Sequence, residues 1–355
     1  MKTRNRMKEY EILTNLNGIS GFEKSVRDYV KLQLEKTADE ILRDRLGSIF
    51  GVKKGPEGSP VIMIAGHMDE VGAMVVGITD EGMLKMQAIG GLKAEVMVSQ
   101  NVNVILKEKV IQGVITSIPP HLSKGDESAT KFQDLLVDIG ADNKEHAEKI
   151  GIRIGQQIVP VNNYYVTEDG KKIVSKAWDD RFGCGMALEV FKELKNIDHP
   201  NTVICGCTVQ EEVGLRGAAT ATQMIQPDLF LAVDVSPVSD YTGKPDGFGK
   251  LGAGFLMRFF DPGCIMNPNL KNYFEKIAND NNIDFQMFLS HGGTDAARAQ
   301  YAGKGTLSTT IGLPGRYIHS TTTMIHIDDV EAVKKMLIAI IKDFDSDKLN
   351  NLINV

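Results

Sequence analysis

Four apolar runs do most to restrict what this chain can fold into: VIMIAG at 61–66, TVICGCTVQ at 202–210, LFLAV at 229–233 and LSTTIGLPGRYI at 307–318. They are continuous rather than alternating and rich in β-branched residues, the pattern of strands buried on both faces in a helix-covered α/β sheet. Each run stops at a metal-ligating residue type: His67, the pair Glu211 and Glu212, Asp234, and His319. Open α/β sheets take their ligands at the carboxyl ends of the strands, so these side chains are expected in one crevice. Asp179 reaches it from another direction, ahead of a helical stretch beginning near Arg181 in which Met186, Val190, Phe191 and Leu194 space as one buried face. Imidazoles and carboxylates hold hydrolytic Zn²⁺ or Co²⁺, and a carboxylate shared between two such ions is a common way to activate water at neutral pH. The pattern predicts a metallohydrolase.

Character changes twice along the chain. Residues 1 to about 66 carry two helical segments, the second with Val26, Tyr29, Val30 and Leu34 on one face, then two short strands around Glu40–Arg43 and Ser48–Val52. From about Val71 to Val166 the pattern turns to short pieces such as MVVGIT, MLKMQAI and NVNVILKEKVIQGVITSI, separated by glycines and charges, which reads as a small β-rich domain. Long apolar strands and amphipathic helices return from Lys171. The last helix has Asp328 and Glu331 at capping-box spacing and a buried stripe of Val330, Val333, Leu337, Ile340 and Phe344. Because His67 precedes the β-rich stretch and every other candidate ligand follows it, the simplest organisation is one α/β catalytic domain, 1–69 and 166–355, interrupted by a β-rich insertion, 70–165.

With 355 residues the chain exceeds one typical domain. A formal charge of −6 and a pI near 5.7 argue against nucleic acid or an anionic membrane as partner, since both reward a basic face. No apolar stretch approaches bilayer length and no leader-like segment opens the chain, so a soluble cytoplasmic protein is expected. Cys205 and Cys207 share one face of an expected buried strand, and with Cys184 and Cys264 they read as small buried thiols rather than a zinc site. His121, His146 and His199 lie in polar contexts and read as surface residues, His326 as a structural contact ahead of the last helix. His291, in the stretch that leads into GGTDA, borders the expected pocket without qualifying as a ligand.

The motifs GHMDEVG, SKAWDDRFG, VQEEVGLRGA, AVDVSP, GGTDA and RYIHS follow one another along the chain. In this order the sequence resembles the M42 family of metallo-aminopeptidases nearly end to end, most of all its glutamyl aminopeptidase branch, through RFFDPG at Arg258–Gly263. The resemblance implies a zinc-peptidase-like mixed sheet covered by helices, interrupted by a PDZ-like β-domain used for dimerisation. It also implies two divalent ions per subunit, Zn²⁺ or Co²⁺ with Mn²⁺ possible, peptide substrates, and a homo-oligomer that in the family is commonly a tetrahedral dodecamer built from dimers. Carried over residue by residue, it makes His67 and His319 terminal ligands of opposite ions and Asp179 the bridge, with Asp234 and Glu212 completing the shells. Glu211 becomes the general base, Asp69 the carboxylate that orients His67 through its other ring nitrogen, and Asp180 the partner in an Asp-Asp step that the family often builds with a cis peptide.

Amide hydrolysis needs a strong nucleophile, a polarised carbonyl and a proton for the departing amine. A carboxylate free of the metals, Glu211, suits the proton transfers. Consecutive side chains on a regular strand point to opposite faces, so the chain must bend for Glu211 and Glu212 to serve one site, and the VGLRG that follows offers glycines for a turn. Arg258 has two open readings: a guanidinium in the substrate pocket pairing with a Glu or Asp side chain, or a structural partner of Asp261. Two other classes compete. A glycosidase would flank its bond with two carboxyls about 5 to 10 Å apart, a poor match to adjacent glutamates accompanied by two histidines. A non-enzymatic metal-binding assembly protein would not need the carboxylate at position 211.

Overall fold

The four apolar runs lie side by side at the centre of a mixed sheet. In the computed structural model, which describes residues 2–119, 121, 130–243 and 248–353, the central order is Thr202–Thr208, Val61–His67, Leu229–Pro237 and Leu307–Gly315, all parallel. Among the described residues this sheet has nine strands. Antiparallel Ile49–Lys53 and Glu40–Arg43 extend one side, and antiparallel Phe255–Asp261 continues the other. The chain lays down Val61–His67, adds Thr202–Thr208 on one flank, then crosses to place Leu229–Pro237 on the opposite flank. That reversal makes the carboxyl end of Val61–His67 a topological switch point, where doubly wound sheets open a crevice.

Continuous apolar sequence is used on both faces, as expected of buried parallel strands. Ile62 and Ile64 pack with Tyr10, Val26, Phe182, Met186 and Leu337, whereas Met63 and Ala65 pack with Phe230, Ala221 and Ala296. Each fully buried side chain of this size contributes roughly 1.5–3 kcal/mol. The helical segment Trp178–Glu193 crosses the sheet at unusually short range. A Cβ on Gly66 would lie 2.3 Å from the Gly183 carbonyl carbon, and one on Gly183 would lie 2.1 Å from the Val233 oxygen. These two glycines let the segment's first turn sit directly beneath the strand ends.

The β-rich stretch closes on itself. Among the described residues, strands Gly72–Ile78, Leu84–Ile89, Asn101–Ile105, Val110–Ile115, Leu136–Asp138 and Gln157–Pro160 form a closed barrel, which removes the exposed edges that such short strands would otherwise present. Alternate residues, including Ala73, Val75, Val102, Val104, Val137 and Ile158, fill it.

The last helix, Ile327–Asp343, carries the expected buried stripe but not the expected cap. Its N-cap is His326, whose Nδ1 accepts the Asp328 N–H at 3.2 Å, so Asp328 and Glu331 do not form a capping box. Strand Thr323–His326 runs into the helix without a loop, which leaves capping to the strand's final residue. Asp329, one position on, accepts the N–H groups of Gly252 and Gly254 at 2.7 and 2.8 Å. Cys184, Cys205, Cys207 and Cys264 are buried free thiols. No helix among the described residues is long and apolar enough to cross a membrane.

Candidate metal centre

His67 ends its strand with both backbone and ring fixed. Asp180 accepts the His67 N–H at 2.9 Å through one carboxylate oxygen and the Gly183 N–H at 2.8 Å through the other. Asp180 therefore positions the strand end, with one N–H bond on each of its oxygens. The His67 Nδ1 donates to the Asp69 carbonyl at 3.0 Å and lies 3.4 Å from the Asp69 carboxylate, leaving Nε2 to face Asp179 Oδ1 at 3.1 Å. Orientation of the ring through its second nitrogen is the usual arrangement of a metal-binding histidine.

His319 faces the same carboxylate from the other side. It sits in the loop after Leu307–Gly315, where Tyr317 and His319 both adopt left-handed backbone, with φ of 61° and 55°. Non-glycine residues pay on the order of 1–2 kcal/mol for that conformation, and strain of this kind gathers at functional sites. The His319 Nδ1 donates to the Gly91 carbonyl at 3.2 Å, while Nε2 lies 3.3 Å from Asp179 Oδ2 and 3.6 Å from Glu212 Oε1. Asp179 thus presents one oxygen to each imidazole. It is joined to Asp180 by a cis peptide, and the two residues interrupt the helical backbone.

The expected bend at the glutamates is present. Strand Thr202–Thr208 stops short, Gln210 turns with φ of 55°, and the Gly214 and Leu215 N–H groups both bond to the Glu211 carbonyl at 2.9 Å. The turn is held from behind by Asp69, which accepts the Glu211 N–H at 3.0 Å, the Glu212 N–H at 3.1 Å and the Ser20 hydroxyl at 2.6 Å. Glu23 accepts the Gln210 N–H at 3.1 Å. Ser20 and Glu23 escaped the sequence reading for a physical reason. SGFE ahead of helix Lys24–Leu34 has the spacing of a capping box and signals only a helix start, yet Ser20 bonds to Asp69, and Glu23 takes the distant Gln210 N–H besides that of Gly21. Asp295, the aspartate of GGTDA, is buried and bonded to the Thr208 hydroxyl, a further neighbour to which the sequence reading gave no role.

The cleft is crowded with acid. Burial, opposed by His67 and reinforced by Asp234, Asp295 and Glu212, pushes the Glu211 carboxyl well above the usual carboxylate range. Burial and then Asp179 raise Glu212 to about 8, and burial and Asp179 raise Asp234 to about 7. Burial alone would lower the histidines. Carboxylates overcome it, with Glu211 first for His67, which ends well above its ordinary value, and Asp179 first for His319, which rises to about 9. Ligand atoms of Asp179, Glu212 and His319 lie within 4.8 Å of one another, as do those of His67 with Glu211 and Glu212, and of His67 with Asp180 and Asp234. Glu212 Oε1 is fully buried and has no hydrogen-bond partner among the described residues. A buried carboxylate oxygen without a partner, beside two imidazoles that share a third carboxylate, fits a divalent cation in both charge and donor chemistry.

The cleft, about 460 Å³, is lined by these residues together with Lys93, Val96, Ile318 and Arg258. Of the two readings of Arg258, the contacts present are those of the structural one, a partner of Asp261. Arg258 borders the cleft, yet its guanidinium donates to the Ser236 hydroxyl at 2.7 Å, the Gly292 carbonyl at 3.1 Å and Asp261 at 3.4 Å. His121 and His291 are exposed, and His146 is half-buried. His199 is half-buried, its ring donating to the Asn201 carbonyl.

Parallel strands that deliver two imidazoles and several carboxylates into a crevice at the switch point define a metal-dependent hydrolase of the α/β class. Comparison with known proteins narrows this. The profile of the M42 glutamyl aminopeptidase family matches residues 47–336. The glutamyl aminopeptidase of Lactococcus lactis is 41% identical over 347 residues, covering 96% of this chain and 97% of its own. The TET aminopeptidase of a marine-sediment thaumarchaeote superimposes with a TM-score of 0.95 at 35% identity, covering 99% and 100% of the two chains. The Pyrococcus horikoshii TET1 peptidase, described as assembling into a tetrahedron or a large octahedral shell, gives 0.87 at 30% identity over 96% and 100%. The chain belongs to the M42 family of metallo-aminopeptidases.

Proposed function

We propose that the protein is a dinuclear aminopeptidase that removes N-terminal residues from peptides, with preference for Glu and Asp. The observation that carries the dinuclear reading is Asp179, whose two oxygens lie 3.1 Å and 3.3 Å from the imidazoles of His67 and His319. In this reading His67 and Asp234 would hold one ion and His319 and Glu212 the other, with Asp179 offering an oxygen to each. Bound there, two divalent ions supply Lewis acidity for water and for the scissile carbonyl. The protein's own part is positional and protonic. Asp69 holds the Glu211 turn, Glu211 takes the proton of the attacking water, and the same carboxyl returns it to the departing amine. The carboxylates around the ions suit the cationic α-amine of a substrate, which restricts cleavage to the first residue.

Acidic specificity is supported by an exposed cation on the cleft wall, Lys93, and by the 41% identity to a glutamyl aminopeptidase. We further propose a cytoplasmic homo-oligomer, in keeping with the assembly described for the P. horikoshii relative, and a dimerisation role for the barrel domain, residues 70–165. Hydrolysis of Glu-, Asp-, Leu- and Lys-p-nitroanilides tests the specificity. Glu and Asp substrates should show the higher kcat/KM, and a Leu or Lys preference would keep the chemistry while removing the acidic assignment.

Metal removal should act on stability as well as on rate. Chelation is expected to abolish hydrolysis and lower the thermal midpoint, and Zn²⁺ or Co²⁺ should restore both. A ligand at 1,000 times its dissociation constant stabilises the folded state by about 4 kcal/mol. An unchanged midpoint in the chelated protein would mean that the buried carboxylates do not bind the ions.

A further inference from the structure

We infer that Lys93, presented by the barrel domain, is the cation that selects acidic N-terminal residues, an inference that rests on the acidic specificity proposed above. The barrel contributes a wall of the catalytic cleft. Its segment 90–96 leaves strand Leu84–Ile89 and runs past both candidate metal ligands of the His319 side. Gly91 offers the carbonyl that fixes His319, and a Cβ at that position would lie 2.7 Å from the His319 Nδ1. Gly90, at φ 83°, passes Glu212 so closely that a Cβ would lie 3.0 Å from its Oε2. Two glycines therefore seat this loop against the catalytic residues, and Lys93 follows them onto the cleft wall.

Charge accounting separates Lys93 from Arg258. The Arg258 guanidinium is buried, faces Asp261, donates to Ser236 and the Gly292 carbonyl, and lies 5.9 Å over the Phe288 ring, with Nε alone lacking a hydrogen-bond partner among the described residues. Its charge is opposed by Asp261 before a substrate arrives, and turning it toward a ligand would leave the buried Asp261 with only the N–H groups of Gly263 and Cys264. Lys93 is exposed on the same cleft and forms no ion pair with any described residue. Its ammonium sits on a flexible four-carbon stem with three donors, suited to meeting a carboxylate whose distance differs by one methylene between Asp and Glu. Arg258 in this scheme shapes the floor of the cleft and holds Asp261.

The test uses the full-length, metal-loaded enzyme and its Lys93→Met, Lys93→Glu and Arg258→Lys variants, assayed on Glu-, Asp-, Leu- and Lys-p-nitroanilides with circular dichroism and metal content as controls. Lys93→Met should lower the Glu-to-Leu ratio of kcat/KM by about 10- to 100-fold, the range of one charge-assisted hydrogen bond. The loss should fall mainly on KM, and Lys93→Glu should shift preference toward the Lys substrate. Arg258→Lys should lower all four substrates alike. A wild-type enzyme that favours Glu while Lys93→Met keeps the ratio would overturn the Lys93 assignment and leave acidic specificity intact. A wild-type enzyme with no acidic preference would overturn both.

Discussion

Glu211→Gln is expected to lower kcat by about 10²- to 10⁴-fold, the contribution typical of a positioned general base, with little change in KM or metal content. Glutamine keeps the size of the side chain. It also keeps the turn, because Asp69 grips the backbone N–H groups of Glu211 and Glu212 rather than their carboxylates. What is removed is the negative charge, and with it the ability to take a proton. The Glu211 Oε2 lies 3.9 Å from the His67 Nε2, longer than the contacts that Asp179 makes with either imidazole. Yet His67, Glu211 and Glu212 are close enough to share an ion, so metal content decides between two roles. Loss of bound metal in parallel with activity would make Glu211 a ligand and remove it as the base. Asp69→Asn provides the contrast. It disturbs the turn and the His67 ring together and should reduce both metal affinity and kcat.

The parts of this site legible in the sequence were those announced by their own strands. His67, Asp234 and the two glutamates follow runs whose burial on both faces could be read from composition alone, and the parallel order of those strands puts their ends together. Less legible was everything that holds these residues in place. Ser20 and Glu23 carry a helix-start signal and act instead on Asp69 and Gln210, 49 and 187 residues away. Gly91 and Lys93 belong by pattern to the barrel, and only the path of the loop brings them to His319. The cap of the last helix was misassigned because Asp328 and Glu331 satisfy the local rule, while His326, at the end of a strand, meets the same need first. Local patterns record what a segment can do by itself. Side chains committed across the fold leave no such mark.

A second large effect is expected at Glu70, next to Asp69 but outside the metal site. Its carboxylate accepts Lys176 at 2.7 and 2.9 Å, Arg181 at 3.3 Å and the Gly18 N–H at 3.1 Å, and all three charged side chains are almost wholly buried. Arg181 in turn donates to the carbonyls of Leu13, Leu16, Gly18 and Met68, clamping the N-terminal segment that carries Ser20 against the strand end that carries His67. Two buried cations share one buried anion, so the three members cannot be equivalent. Glu70→Gln leaves both cations uncompensated and should cost about 3–5 kcal/mol, read as a lower urea midpoint. Lys176→Met leaves a balanced Arg181–Glu70 pair and should cost far less. Burial, opposed by Glu70 and aided by Arg181, already holds the Lys176 pKa below its ordinary 10.5. A base whose pKa is depressed on folding binds fewer protons folded than unfolded, so its penalty is full below the folded pKa and fades as pH rises toward the unfolded one. The stability of wild type relative to Lys176→Met should therefore increase with pH as 10.5 is approached from below. Equal losses for the two variants, or a relative stability that falls over that interval, would mean that the cluster is not governed by its surplus positive charge.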